Sequence, residues 1–357
     1  MHPRRLVLTA LAAAALVATP VSAANINSQN SYTVHALVSD TGVGGSRVDP
    51  NLVNGWGITA SATSPWWVAN NGTDTSTLYR GDGTIVARVV SVPGGPTGTV
   101  FNGVGTFAVS AGGASASSVF IFANEDGEIR GWNPGVPGPN TNVTEVGATG
   151  ENGASYKGLA IGTVGSAAYL YATDFHNGKV DVYNSSWALQ PWSLVDPGIP
   201  AGFAPFGIQN LNGMIFVTYA KQDAEAGDEI AGEGLGYVSA FGTDGSFLGR
   251  VASRGALNAP WGLAWAPADP AKFGKFNGDL LVGNFGDGRI NAFAWTGSGW
   301  EARGHLKTSN HHPLVIDGLW GIGFGNGSGS GPITTLYFAA GPDDENHGVF
   351  GSVTFNP

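Results

Sequence analysis

A short phrase, aromatic or small residue then Gly then an aliphatic, recurs six times, and a strand apolar on both faces follows each copy. Cysteine is absent, so neither disulfides nor thiolate metal ligands organise the chain. These observations predict an all-β fold: a six-bladed β-propeller closed by an N-terminal strand, after a cleavable signal peptide.

The first phrase occurs at Trp56-Gly57-Ile58, Thr97-Gly98-Thr99, Lys157-Gly158-Leu159, Phe206-Gly207-Ile208, Trp261-Gly262-Leu263 and Trp320-Gly321-Ile322. Its glycines are 41 to 60 residues apart, room for four short strands and their loops. Glycine at the start of an inner strand lets neighbouring backbones approach near an axis. The second phrase occurs at 66–70, 119–124, 169–174, 215–220, 280–284 and 336–340, each a predicted buried strand. The strands that follow, such as 179–183 and 289–293, alternate in polarity and are expected to be half-exposed. The last copy leaves room for three strands, and Tyr32 to Ser39 is expected to supply the fourth.

Residues 1–24 carry the three parts of a signal peptide: Arg4 and Arg5, an apolar run from Leu6 to Val17, and the small-residue site Val21-Ser22-Ala23. Residues 25–357 then read as one propeller domain, exported from the cytoplasm, with no membrane span and expected to be a monomer. The chain has 16 Lys and Arg against 26 Asp and Glu, a net charge of −10, and losing both arginines lowers it by two more. That acidity argues against nucleic acid and anionic membranes as partners, which need clustered Lys and Arg.

Loops before the inner strands and turns after the second strands should share one face of the disc, where ligands of such folds collect. The polar residues expected there include Asn54, Asn70, Glu125, Lys157, Asp174, His176, Lys221, Gln222, Asn258, Asn284 and Asp317. Turn chemistry alone accounts for many Asn and Asp residues. Asn54, Asn258 and Asp317 instead precede inner strands, and their oxygens are a candidate set for one Ca²⁺. Trp56, Trp261 and Trp320 either line the mouth as a platform for a sugar or phenolic ligand or serve as core. Binding residues are thus expected among these rings and Asn70, Glu125, Lys157, Lys221, Gln222 and Asn284. His176 is the candidate base, with Asp174 beside it. An acidic insertion, 221–236, is long enough for a lid. No spacing indicates a zinc site, an EF-hand or a serine triad.

Between about Leu52 and Gly351 the chain resembles a bacterial family of exported, conserved hypothetical proteins with NHL- or lactonase-like propeller architecture. The resemblance is carried by 124–127 (Asn-Glu-Asp-Gly), 174–178 (Asp-Phe-His-Asn-Gly), 219–223 (Tyr-Ala-Lys-Gln-Asp), 283–288 and 316–321. It implies the fold and export and supplies no reaction. Lactonase and phosphotriesterase propellers hold Ca²⁺ to activate a water, with a Glu early in the first blade where Asn54 stands here. Two readings follow: a secreted propeller binding a small molecule at an Asn/Asp-rich mouth, with Ca²⁺ as the candidate ion, or a metal-assisted hydrolase acting through His176 and Asp174.

Overall fold

The computed structural model describes residues 29–357, so the expected signal peptide lies outside the described residues. Six sheets surround an axis, antiparallel except where the short Arg47–Val48 strand pairs in parallel with Tyr32–Ser39. Their inner strands are Gly55–Thr59, Pro96–Phe101, Tyr156–Val164, Phe203–Leu211, Pro260–Trp265 and Leu319–Phe324, for blades 1 to 6 in order. Each inner strand packs against the next, and that of blade 6 returns to that of blade 1.

The six repeated glycines explain how the ring closes. A Cβ on Gly57, Gly98, Gly158, Gly207, Gly262 or Gly321 would lie under 3.0 Å from the backbone of the next blade's inner strand. Gly262 meets the Trp320 carbonyl at 2.5 Å and Gly321 meets that of Trp56 at 2.6 Å, across the closure. Only glycine permits this approach, which is why the phrase repeats.

Tyr32–Ser39 pairs antiparallel with Val349–Phe355 as the outer strand of blade 6, as the sequence predicts. The Tyr32 hydroxyl donates to the Phe273 carbonyl at 2.8 Å, tying this strand to blade 5. Blade 3 departs from four strands: Tyr156–Val164, Ala167–Asp174 and Lys179–Asn184 form its sheet, and a lone bridge from Tyr183 to Leu189 stands where the outer strand would be. The third strands also differ from expectation. Lys179–Asn184 and Ile290–Trp295 are buried along most of their length, because neighbouring blades cover both faces. Six apolar clusters fill the gaps between blades, and a seventh, aromatic one sits on the axis.

Candidate functional site

The strand order places the loops leading into the inner strands and the turns after the second strands on one face. Four polar residues there are turn scaffolding. Asn70, Asn124, Asp174 and Asn284 end the second strands of blades 1, 2, 3 and 5, and all are fully buried. Asn70 Nδ2 donates to the Thr75 and Thr77 hydroxyls at 3.0 Å, and Asn284 Nδ2 donates to the Ala256 carbonyl at 2.8 Å. Asp174 accepts from the Ser155 amide at 3.3 Å, the Asn177 amide at 3.1 Å and Asn177 Nδ2 at 2.8 Å. His176 is exposed, with Nδ1 3.2 Å from the Ala226 carbonyl. The Asp174 carboxylate is therefore spent on its turn, and no hydrogen bond joins it to His176.

Trp56, Trp261 and Trp320 meet on the axis. Trp56 and Trp320 stack at 3.6 Å, Phe285 stacks on Trp320 at 4.0 Å, and Trp261 meets both tryptophans edge-on. Phe175, Phe206 and small residues complete the cluster. Trp56 is 2% and Trp320 0% exposed, so these rings plug the channel and offer no open face. Below the plug the channel narrows to a void of about 20 Å³ between Ile58, Leu159, Ile208, Leu263 and Ile322, room for about one water.

Above the plug lies Lys157, whose side chain is 2% exposed. It follows Tyr156 at the start of the blade 3 inner strand, so its neighbour Gly158 fixes how near the axis it sits. Its ammonium donates to Glu125 and to Asp228 Oδ1 (3.0 Å) and lies 5.5 Å from the centre of the Trp56 ring. Burial alone would lower its pKa, but Glu125 and Asp228 outweigh burial and hold it above the usual lysine value. From Glu125 a chain of hydrogen bonds crosses the face. Asn71 Nδ2 donates to Glu125 Oε2 at 2.7 Å, Asn54 Nδ2 donates to Asn71 Oδ1 at 3.3 Å, and Asn54 Nδ2 also donates to Glu345 Oε2 at 2.6 Å. Trp320 Nε1 closes the network onto the plug by donating to Asn54 Oδ1 at 3.1 Å.

The acidic insertion leans across this mouth. Glu229–Ile230 adds to the end of Met214–Gln222, placing Lys221 opposite Ile230 and Gln222 opposite Glu229. Lys221 Nζ lies 5.7 Å from the Phe203 ring, and Gln222 Nε2 donates to the Phe175 carbonyl at 2.7 Å. Asp228 thus reaches Lys157 from blade 4. Burial pushes the Glu229 carboxyl up to about 8, against the pull of Lys157. Burial likewise raises Glu345; its bond from Asn54 opposes this, and the charges of Glu125 and Asp228 add to it. One ammonium faces four acidic groups, Glu125, Asp228, Glu229 and Glu345, more acid than a single cation balances. The excess is met by the raised carboxyls of Glu229 and Glu345, which hold their protons more tightly.

Beside this constellation is a cavity of about 320 Å³, lined by Ala231, Phe285, Gly286, Asp317, Gly318, Gly341, Asp344 and Glu345. Asp343, Asp344 and Glu345 all adopt left-handed backbone, with φ of 58°, 49° and 65°, a costly run for non-glycine residues. Glu345 and Phe285 escaped the sequence reading. The acidic run after Gly341-Pro342 was the only local signal for Glu345, which joins Asn54 from a position 291 residues away.

The candidate Ca²⁺ set does not fit a metal. The Asn54 oxygen accepts from Trp320, Asn258 Oδ1 accepts from the Gly232 amide at 2.6 Å, and Asp317 Oδ2 accepts from the Asp343 amide at 3.1 Å. Among the described residues no three His, Asp or Glu side chains are grouped to hold an ion, and Lys157 already puts a fixed cation into the mouth.

Fold and site together define a six-bladed β-propeller with a plugged channel and an acidic mouth. Two uncharacterized proteins of Acanthamoeba polyphaga mimivirus are each 34% identical to the chain over 335 residues, covering 90% of it and 80% and 85% of themselves. The chain belongs to their family. No family model matches it, so the bacterial family that the sequence resembles is not established by one. A glucose dehydrogenase crystal structure superposes with a TM-score of 0.52 at 14% identity, covering 91% of this chain and 99% of that one, a likeness of fold alone. No described helix is long and apolar enough to cross a membrane.

Proposed function

We propose that the chain is an exported binding propeller whose acidic mouth takes a small organic amine, held by carboxylates above the aromatic plug. The observation that carries this reading is the surplus of carboxylate round Lys157, next to a cavity that combines Asp317, Asp344 and Glu345 with the ring of Phe285. An ammonium supplies the charge that raised carboxyls lack, and an aromatic wall accepts its carbon skeleton or its charge. A plugged channel supports a binding role at the rim over passage of substrate along the axis.

Titration calorimetry with 1,4-diaminobutane against the neutral 1,4-butanediol tests it. The diamine binds, the diol does not, and Glu345→Gln weakens the diamine about tenfold, the scale of one charged hydrogen bond. Equal binding of diamine and diol, or no loss in Glu345→Gln, contradicts it. A second reading, an enzyme, rests on Glu229, a carboxyl near 8 within the field of Lys157 at the mouth. In that reading Glu229, rather than His176, moves the proton.

A further inference from the structure

The channel opens a second time on the opposite face, where the inner strands of blades 1, 4, 5 and 6 end. Ile58–Ala60, Gln209–Asn212, Leu263–Trp265 and Ile322–Phe324 form a funnel of about 360 Å³, within the range of small-molecule pockets. No Asp, Glu, Lys, Arg or His lines it, in a protein of net charge −10 whose other mouth is crowded with carboxylates. Its lining alternates aliphatic and aromatic surface with carboxamides and hydroxyls.

The walls are already fixed. Trp66 Nε1 donates to the Ser330 carbonyl at 2.8 Å, and Asn326 Nδ2 donates to the Ser61 and Ser64 carbonyls at 2.8 and 2.9 Å. Asn210 Nδ2 donates to the Ile161 carbonyl at 2.8 Å, and Trp265 is braced by the rings of Phe216 and Trp300 at 6.0 and 6.1 Å. Gln209 is different. It borders both the funnel and the narrow channel void, it is half-buried, and its carboxamide has no hydrogen-bond partner among the described residues. A primary amide offers two donors and an acceptor, and one left open at the base of a rigid funnel is a directed recognition group.

We propose that this funnel is a second ligand site, for an uncharged, hydroxylated small molecule of the size of one sugar ring. Gln209 hydrogen-bonds its hydroxyls, and Trp265 packs on its apolar face. A charged ligand is disfavoured, since nothing in the lining compensates its desolvation. A purely apolar ligand is disfavoured as well, since it leaves the Gln209 amide buried and unpaired.

Saturation-transfer NMR on the full mature chain tests the proposal, with D-glucose, D-galactose and D-xylose as probes. At least one sugar receives saturation from the protein, and Gln209→Leu reduces the signal several-fold. Trp265→Ala is the second variant, in case Gln209→Leu perturbs folding. Adding 1,4-diaminobutane leaves the sugar signal unchanged, because the two mouths lie on opposite faces of the plug. No transfer to any of the three sugars, or transfer that survives both Gln209→Leu and Trp265→Ala in folded protein, overturns it. Displacement of the sugar by the diamine places it in the acidic mouth and overturns it too.

Discussion

Gly321→Ala tests the mechanism of ring closure. The new Cβ would sit 2.6 Å from the Trp56 carbonyl oxygen and 3.2 Å from the Ile58 nitrogen. Both are backbone atoms of the neighbouring inner strand, so no side chain can rotate away and the two blades must part. Overpacking of this kind costs about 1–3 kcal/mol, and contact with backbone belongs at the upper end. Alanine also restricts the unfolded chain, which returns about 0.4–1 kcal/mol. The net loss is about 2 kcal/mol, which lowers the melting temperature by about 3 °C in a chain of this size. The control is Gly299→Ala: no atom lies within 4 Å of its Cβ position, and its φ is outside the left-handed range. Differential scanning calorimetry of both variants reads the difference directly. If Gly321→Ala melts no lower than Gly299→Ala, the repeated glycines do not set the blade spacing and the explanation of the sequence repeat is wrong.

Asp174→Ala should destabilise by about 2–4 kcal/mol, since two amides and the Asn177 side chain lose a buried acceptor; urea denaturation measures it. The raised Glu229 carboxyl predicts a pH effect of definite sign. The folded state holds that proton more tightly than the unfolded state, so stability contributed by the site falls as pH rises from about 4.5 towards 8. Glu229→Gln should therefore be more stable than the parent above pH 8 and equal to it at pH 4, read from urea midpoints at the two pH values. Asp228→Ala removes the clasp between insertion and Lys157. Amide exchange of 223–232 should then quicken while that of 280–284 stays slow, by hydrogen-exchange mass spectrometry.

The fold was legible because its repeat has a steric cause. Gly57, Gly98, Gly158, Gly207, Gly262 and Gly321 each serve the same close approach, so one phrase recurs and counts the blades. The closing strand was legible by subtraction, since blade 6 runs out of chain. The missing outer strand of blade 3 was not, because 185–200 are turn-rich and pairing there depends on contacts outside the segment. At the site, the sequence marks which residues reach the mouth but not what each is bonded to. Asn70 and Asp174 share their residue types with binding groups, yet their side chains are used within their own turns. Asn284 Nδ2 is bonded to Ala256 and Asp287, while its buried Oδ1 has no partner among the described residues. Lys157 and Glu125 were visible as mouth residues. Their link to Glu345 runs through Asn71 and Asn54, contacts between blades that only the closed ring creates.

Proton release on amine binding tests the central claim most directly. A cation seated among Glu125, Asp228, Glu229 and Glu345 favours their ionised forms, so raised carboxyls must give up protons as it binds. Calorimetry of 1,4-diaminobutane at pH 7, repeated in buffers of different ionisation enthalpy, counts those protons. The account predicts measurable release at pH 7, less release at pH 9, tighter binding as pH rises between 6 and 8, and loss of most of the release in Glu229→Gln. Binding with no proton release at pH 7, or release unchanged in Glu229→Gln, would show that the amine sits elsewhere and would contradict the account.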